Sequence, residues 1–442
     1  MEHKYDINAS SSSWVVEMEK MREDANPSVE MARWNRHSIY RVPQFIKDTT
    51  SSEAYSPRFV SLGPLHHGKP HLLPMEDHKR RAVLHMVNRS GKPLQDSVAA
   101  IDEVADELQA AYNDLDDDKW RGANKGRFVE MMVMDGCFLL EWARTAGIVI
   151  GGNFAVDYAT NDPIFSVRSY IKLWATMKRD MIAMENQLPL IVLQRLLAVQ
   201  SGEFPKAAEI NNMVQLLLGV APCFEEGIDE LGLHFLDIFH KSYCGTPTQW
   251  KESDHEFEPR TPCVVELSEA GIQLKKSRTD SIHDVDFKKG VLSMPLFTLH
   301  DDTEIYLLNL MAFERLHPDS NLYVASYISF VDKIIESERD VALLRSQGLF
   351  ANMIGSDKNV VKMFNTLTKL APVPLRGSKL GYVNWKVNSH CKKRRNRWRA
   401  SFMNTYLSNP WVFTSMVAAF ILLVAALLPT VYTAVPFYTR KG

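Results

Sequence analysis

Apolar residues recur at the spacing of an amphipathic helix through most of the chain between residues 37 and 370. Two clear stripes each fall on one helical face: Val98, Ile101, Val104, Ala105, Leu108 and Tyr112, and then Tyr170, Leu173, Trp174, Met177, Met181 and Met184. Further helices of this kind are expected over 305–316 and 324–335. The pattern predicts a mainly α fold, and Met and aromatic residues at this spacing are typical of core packing.

Residues 128–142 are apolar on nearly every side, which predicts a helix at the centre of the domain. Asp135 and Glu141 lie within this helix, so each carboxylate needs a polar partner. Alternating residues near 271–275 and 285–294, separated by a polar turn region, predict a short β-hairpin. The sequence thus predicts a helical globular domain with one small β element.

An uncharged apolar stretch at 411–428 predicts a single C-terminal transmembrane helix. Its 18 residues span about 27 Å, close to the ~30 Å hydrocarbon core, and continuation to residue 435 allows tilt. A buried core helix is the alternative, but such helices are usually shorter and have a polar face. Side chains expected to contact lipid include Trp411, Phe413, Val417, Phe420, Leu422 and Leu427.

A basic segment precedes this stretch, and no Asp or Glu occurs from Lys386 onward. Nine Lys and Arg lie in that part, and since the whole chain carries −2, residues 1–385 carry −11. An acidic body argues against nucleic acid as a partner, whereas the basic segment suits anionic membrane lipid. A nuclear localisation signal is the alternative, which the adjacent span disfavours. The juxtamembrane cations are Lys392, Lys393, Arg394, Arg395, Arg397 and Arg399.

The charges that flank the span also predict its orientation. Seven cations precede the span and two follow it, Arg440 and Lys441, so the N-terminal domain is expected in the cytosol. The few residues beyond the span predict a tail-anchored protein, and residues 1–14 contain no apolar signal-peptide region. Five sparse cysteines fit a reducing compartment. The sequons at Asn8 and Asn88 have no role in this topology, and plasma membrane and endomembrane remain alternatives.

The chain is expected to divide into five segments. These are a flexible N-terminal segment (1–36), an α-rich domain (37–370), a loop and basic juxtamembrane segment (371–410), the transmembrane helix (411–435) and a short tail (436–442). Neither an internal repeat nor a Pro/Gly/Ser linker interrupts the long second segment.

One glycine-rich string, at 63–70, resembles a phosphate-binding loop. It matches the first seven positions of G-x-x-x-x-G-K-[ST], but Pro70 replaces the hydroxyl residue and removes an amide. Pro74 then precludes a helix that begins at the loop. The glycines and prolines are therefore expected to shape a turn, and no cofactor is predicted.

A second candidate is the histidine-rich region formed by His66, His67, Glu76 and His78. The two adjacent histidines point to different sides of a regular backbone and no cysteine lies nearby, so structural hydrogen bonds are expected rather than a metal site. The Glu314–His317 pair lacks the second helical pair and the two further glutamates of a di-iron bundle. No nucleophile elbow, zinc-protease motif or catalytic cysteine signature occurs. The sequence predicts no catalytic, cofactor or metal residue.

A set of short motifs occurs in a fixed order along the chain. They are IYRVP (39–43), VSLGPLHHG (60–68), DGCFLLE (135–141), ENQLP (185–189) and GSD (355–357), with Tyr55, Pro57, Met75, Glu76, His78, Lys79, Asn309, Ala312, Phe313 and Glu314. Together they resemble the plant-specific family known as domain of unknown function 247. Leu65 departs from the family, in which Tyr is common before the histidine pair. The resemblance implies an α-rich domain with a C-terminal transmembrane helix and no established activity. Some grass members have been connected with self-incompatibility.

Two functional hypotheses follow. The first is a membrane-anchored, non-enzymatic interaction protein with an unidentified protein partner, in which loops such as 243–262 carry specificity. The alternative is a membrane-bound enzyme or metal-binding protein that uses His66, His67, Glu76 and His78, with Glu185 or Glu314 as a further member. Convergence of these side chains on one pocket would favour the second hypothesis, and separate buried hydrogen bonds would favour the first.

Overall fold

The computed structural model describes residues 11–24, 26–148, 158–220, 230–245, 258, 260–369, 378–393, 398 and 410–439. The chain divides into two compact units. The first unit comprises Met1–Thr246 and Asp302–Ala325, and the second comprises Pro247–Asp301 and Ser326–Gly442. The fold is mainly helical with few short strands, as the sequence predicts. The five-segment division stays a prediction.

Helices form most of the secondary structure, and each strand has only three or four residues. The helices are α1 Ser11–Asp24, α2 Pro27–Trp34, α3 Gln44–Thr49, α4 Pro74–Ser90, α5 Leu94–Asp102, α6 Ala105–Ala110, α7 Asp117–Trp120, α8 Lys125–Thr145, α9 Val167–Ile182, α10 Leu190–Ser201, α11 Ala207–Leu218, α12 Phe235–Cys244, α13 Val264–Glu269, α14 Thr303–Leu316, α15 Tyr323–Ile334, α16 Glu338–Ser346, α17 Asp357–Leu367, α18 Lys379–Cys391 and α19 Pro410–Thr439. The strands are β1 Gln273–Lys276, β2 Asp286–Lys288, β3 Val291–Met294, β4 Phe297–Leu299 and β5 Phe350–Asn352. Short 3-10 helices occur at Ser52–Ala54 and Gly122–Asn124.

Helix α8 is the central element of the first unit, which confirms the prediction for residues 128–142. It is buried from Phe128 to Ala143 over most of its circumference and contacts α4, α5 and α10. Helix α10 comes very close at Gly136, where an added Cβ would lie 2.5 Å from Leu196 Cδ1 and 2.8 Å from Val192 Cγ1. Glycine at this position therefore sets the separation of the two helices.

The first predicted stripe forms two helices rather than one. Helix α5 ends at Asp102 and α6 begins at Ala105, since Val104 leaves helical geometry (φ −107°, ψ 6°). Beyond α6, the Ala111 carbonyl accepts the Ser38 and Ile39 amides, both at 2.9 Å. Pairing with this distant segment continues in a Tyr112–Ile39 bridge, so long-range contacts determine where the helix ends.

The second stripe forms α9, as predicted. Met177 and Met181 are buried, and Met184 is buried two residues beyond the helix end. Trp174 is half-buried and donates its indole N–H to the Leu217 carbonyl at 2.9 Å. Helices α14 and α15 also agree with the segments predicted at 305–316 and 324–335.

The second unit contains the strands and confirms a β-hairpin, although the strand pairing differs from the prediction. The hairpin lies wholly within 285–294, where β2 and β3 are antiparallel and Lys289 and Gly290 both have positive φ. Strand β1, expected opposite this segment, pairs with β3 in parallel instead. The β2–β3 turn closes in two residues, which leaves the other edge of β3 available to β1. A separate parallel pair joins β4 and β5, where Phe297 stacks on Phe350.

Helix α19 contains the predicted span. Trp411–Pro429 forms 19 residues of mean hydropathy 2.5, long and apolar enough to cross a membrane, and none of it is buried. The exposed fraction is 82% for Trp411 and 70% for Leu422. Helix α10 is also apolar but only 12 residues long, and its Leu190, Val192 and Leu193 are fully buried in the first unit.

Candidate functional site

The histidine-rich region does not form one pocket, because its side chains have separate partners. His66 Nε2 lies 3.2 Å from Glu185 Oε2, whereas the His67 ring meets the Trp120 ring edge-on at 5.5 Å. A third histidine, His78, is bonded to Arg81 at 2.9 Å. This arrangement favours structural roles over a shared catalytic or metal site.

Glu185 is a buried carboxylate held by three donors. It accepts the Val42 amide at 2.8 Å, Lys47 Nζ at 2.7 Å and His66 Nε2. Burial opposes its ionisation, but the hydrogen bonds from His66 and Lys47 outweigh burial and lower the pKa of Glu185 to about 2. Burial also lowers the pKa of His66, so a neutral imidazole donates to a charged carboxylate.

Glu76 belongs to a different cluster, centred on the buried ammonium of Lys79. Lys79 Nζ lies 2.7 Å from Glu76 Oε1, 2.6 Å from Asp135 Oδ1 and 3.1 Å from Ser61 Oγ. The other oxygen of Asp135 accepts the Gly63 amide at 2.7 Å. Burial raises the pKa of Asp135 to about 6, although Lys79 acts in the opposite direction. Asp135 thus has the polar partner that its apolar helix requires.

Glu141, the other carboxylate of α8, also has partners. Arg89 from α4 contacts one oxygen, and Arg144 Nη2 lies 3.3 Å from the other. Both sequence-based expectations for polar groups within this helix are therefore confirmed. The Lys79–Asp135 and Arg89–Glu141 ion pairs therefore connect α4 to α8 at two positions of α8 that are six residues apart.

The extended segment 58–63 has its backbone bonded by side chains instead of by a neighbouring strand. The Asp180 carboxylate accepts the amides of Arg58, Phe59 and Val60 at 2.9, 2.7 and 2.8 Å. Asn186 accepts the Leu62 amide at 2.7 Å and donates to the Val60 carbonyl at 3.1 Å. These bonds satisfy buried backbone groups that would otherwise need a strand or water.

The same contacts explain the glycine-rich string at 63–70. The Gly63 amide donates to the buried Asp135 carboxylate, so a side chain of the protein occupies the amide that a phosphate-binding loop would direct at its ligand. Gly63 has φ +72°, and an added Cβ would lie 2.6 Å from both the Gln187 carbonyl oxygen and the Tyr112 hydroxyl. The backbone conformation and the close packing both require glycine at this position, so Gly63 has a structural role.

The segment 185–189 connects α9 to α10, and its own polar side chains bond the backbone at this junction. Gln187 Nε2 donates to the Met181 and Ala183 carbonyls at 2.8 and 2.7 Å, and its Oε1 accepts the Leu236 amide at 3.0 Å. Pro189 caps the start of α10. These side chains satisfy the carbonyls left at the end of α9.

Glu314 pairs with His240 instead of the neighbouring His317. Its Oε1 lies 2.9 Å from His240 Nε2 and accepts the Val324 amide at 2.7 Å, while Oε2 accepts the Ala325 amide at 2.9 Å. The thiol Sγ of Cys244 lies 3.5 Å from the same imidazole nitrogen. All three side chains are buried, with ligand atoms within 4.8 Å of one another. Among the described residues this group has the spacing that a metal ion requires.

The chain is similar to known plant proteins over most of its length. The model of DUF247, described as a plant protein of unknown function, matches residues 39–425. The chain belongs to the DUF247 family. A curated relative, the UPF0481 protein At3g47200 of Arabidopsis thaliana, is 27% identical over 91% of this chain and 88% of its own length. The putative UPF0481 protein At3g02645 of Arabidopsis thaliana is 23% identical over 96% and 94%. No solved structure matches.

The family names no catalytic activity, which is compatible with a non-enzymatic role for this DUF247 protein. Sequence reasoning missed the association of His240, Cys244 and Glu314. The detectable signal was the four-residue spacing of His240 and Cys244, which places both on one face of α12. Glu314 is contributed by α14, more than sixty residues later, so only the tertiary structure brings it to them.

The basic juxtamembrane segment is described in part. Lys392 and Lys393 follow α18, whereas Arg394, Arg395, Arg397 and Arg399 lie outside the described residues. Lys392 forms an ion pair with Glu258 within the second unit. Most of the loop 243–262 also lies outside the described part of the chain.

Proposed function

We propose that this DUF247 protein is a membrane-anchored, non-enzymatic interaction protein whose helical region faces the cytosol. The observation that carries the proposal is α19, whose apolar side chains from Trp411 to Leu428 have no protein cover in the structure. Exposed apolar surface of this extent is unfavourable in water and favourable in a bilayer. The span acts as the anchor, and residues 1–400 form the cytosolic part.

Charge supports both lipid binding and orientation. Seven cations lie between Lys386 and Arg399, whereas only Arg440 and Lys441 follow the span. Each Lys or Arg near an anionic leaflet contributes about 1 kcal/mol. Pairing of Lys392 with Glu258 removes one of these cations from the lipid-facing set, and the others remain to attract the cytosolic leaflet. The acidic body, at −11, is repelled by the same surface.

The polar motifs support a non-enzymatic role through what they contact. Asp180, Asp135 and Asn186 bind backbone amides, and Lys79 is buried completely between carboxylates. A catalytic side chain needs an orientation toward substrate, whereas these groups are directed into the protein's own backbone. They build a rigid scaffold that presents its surface to a protein partner.

Anchoring is tested by placing charge in the middle of the span. The double variant Val417→Arg with Leu422→Arg costs about 2.5–3.5 kcal/mol per arginine at the membrane centre. In alkaline carbonate extraction of microsomes, the wild-type chain should stay in the pellet and the double variant should leave it. The matched control is Leu84→Arg with Leu216→Arg, which adds the same two charges at leucines of the first unit that are 61% and 57% exposed. Release of the wild type, or retention of the double variant, contradicts the anchor.

The interaction role is tested by partner capture from the native tissue. The full chain is cross-linked in its membrane, solubilised in detergent and purified, and co-purifying proteins are quantified against the double variant at equal abundance. The proposal expects a defined protein enriched with the wild type, and reciprocal purification of that protein should recover this chain. Repeated absence of such a partner contradicts the interaction role.

A further inference from the structure

We propose that His240, Cys244 and Glu314 bind a divalent cation of the zinc type within the first unit. This inference goes beyond the proposed interaction role and does not depend on it. Helix α12 presents His240 and Cys244 one helical turn apart, and α14, which packs against α12, supplies Glu314. The three ligand atoms lie within 4.8 Å of one another, so one ion can reach all of them with small side-chain movements.

The two distances that involve His240 are close to those of tetrahedral zinc. Bond lengths of ~2.3 Å to sulfur and ~2.0–2.1 Å to nitrogen place two tetrahedral ligand atoms roughly 3.6 Å apart. Cys244 Sγ and His240 Nε2 are already 3.5 Å apart. The His240 Nε2 to Glu314 Oε1 distance of 2.9 Å has to lengthen by roughly 0.4 Å to admit the ion.

The charge of a divalent ion and the charges of its ligands also balance at this buried site. A thiolate and a carboxylate together neutralise a +2 ion, with the imidazole as the neutral third ligand. On binding, Cys244 gives up its thiol proton to solvent as the sulfur–metal bond forms. The proton of His240 moves from Nε2 to Nδ1, and Nε2 then binds the ion. Binding therefore releases about one proton per ion, with no change of oxidation state.

The surroundings of Glu314 orient it for this role. Amides of Val324 and Ala325 hold the two carboxylate oxygens, and a carboxylate retains lone pairs beyond those two bonds. Such hydrogen bonds orient metal ligands in known sites. A thiolate favours zinc over magnesium or calcium, which prefer oxygen ligands only. Three protein ligands leave one position of a tetrahedral ion open.

The test uses the full chain, purified in detergent, stripped with a chelator and titrated separately with Zn²⁺ and Co²⁺. We expect one ion per chain by elemental analysis, and a thiolate-to-cobalt charge-transfer absorption. Cys244→Ser should abolish that absorption and weaken zinc binding at least tenfold. Cys391→Ser removes a half-buried thiol of the second unit and should retain both signals.

A second variant separates metal binding from folding. His240→Gln keeps an N–H donor for Glu314 but removes the imidazole, so its metal-free thermal unfolding should match the wild type. Zinc should raise the unfolding midpoint of the wild type and leave that of His240→Gln unchanged. Substoichiometric metal in the wild type overturns the proposal, as does a cobalt–thiolate absorption that survives Cys244→Ser. Either result leaves a structural His–Glu hydrogen bond beside a thiol.

Discussion

The ammonium of Lys79 lies 2.6 Å from the carboxylate of Asp135, and both side chains are withdrawn from solvent. This pair joins α4 to the central helix α8. Asp135 also binds the Gly63 amide, so the same carboxylate fixes the start of the glycine-rich turn. The pair depends on Lys79 in particular, because loss of this ammonium leaves the Asp135 carboxylate buried without a cation.

Lys79→Met should therefore destabilise the first unit strongly. Removal of one partner of a buried ion pair costs about 3–5 kcal/mol in the free energy of unfolding. The measurement is denaturant unfolding of the full chain in detergent. Arg80→Met is the matched control, since Arg80 pairs with Asp77 at 3.0 Å on the surface and its loss costs below about 1 kcal/mol. Equal decreases in the free energy of unfolding for the two variants would show that the buried ion pair stabilises the fold no more than a surface pair does.

Asp180→Ala should expose the backbone of 58–60 to solvent exchange. Three amides in this segment depend on the Asp180 carboxylate, so hydrogen–deuterium exchange of a peptide covering 58–60 should accelerate at least about tenfold.

Asp162→Ala is the reciprocal control for this exchange experiment. Asp162 accepts the Ile164 and Phe165 amides at 2.9 and 2.8 Å. Its loss should therefore accelerate amide exchange at residues 164–165 and leave residues 58–60 protected. Unchanged protection of 58–60 in Asp180→Ala would refute the role assigned to that carboxylate.

Acid should weaken the fold through Glu185. Its folded pKa of about 2 lies below the ordinary 4.5, so the unfolded chain takes up this proton first as the pH falls. The stabilisation is complete above pH 4.5 and is lost between pH 4.5 and 2, with a magnitude on the order of 3 kcal/mol. Unfolding free energies of wild type and Glu185→Gln, measured across this range, should converge by that amount. Parallel curves would contradict the contacts that lower this pKa.

Gly136→Ala should overpack the contact between α8 and α10. The added Cβ meets Leu196 and Val192 side-chain carbons at 2.5 and 2.8 Å, and overpacking of this kind costs about 1–3 kcal/mol. Gly126→Ala makes the same change in the same helix, where an added Cβ meets nothing within 4 Å. The control should be neutral or slightly stabilising by thermal unfolding, because alanine favours helix. An unaffected Gly136→Ala would show that the helices can separate at no cost.

Helix positions were predictable because burial follows local periodicity. Residues 128–142 are apolar on nearly every side, and α8 is buried accordingly. The end of α6 was not predictable, since Ala111 beyond it pairs with Ser38 and Ile39, far earlier in the chain. Parallel pairing of β1 with β3 is likewise a non-local choice that alternation along one strand does not encode.

The sequence indicated which buried polar side chains need a partner but not which residue that partner is. The need of Asp135 for a partner followed from its apolar helix, but Lys79 lies in a basic run that looks solvent-exposed. Its spacing from Met75 and Ala82 places it on the buried face of α4, a signal available in the sequence. Glu314 binds His240 across two helices separated by a long stretch of chain, and local spacing instead suggested His317.

Protease protection of the full chain in sealed microsomes tests the anchor and the cytosolic orientation together. With an epitope tag before Met1, protease should remove the tag and the helical region while the vesicles are intact. A short C-terminal fragment that contains Trp411–Pro429 should survive until detergent is added. A tag and a helical region that resist protease until detergent is added would contradict the cytosolic orientation, and complete digestion without any protected fragment would contradict the span.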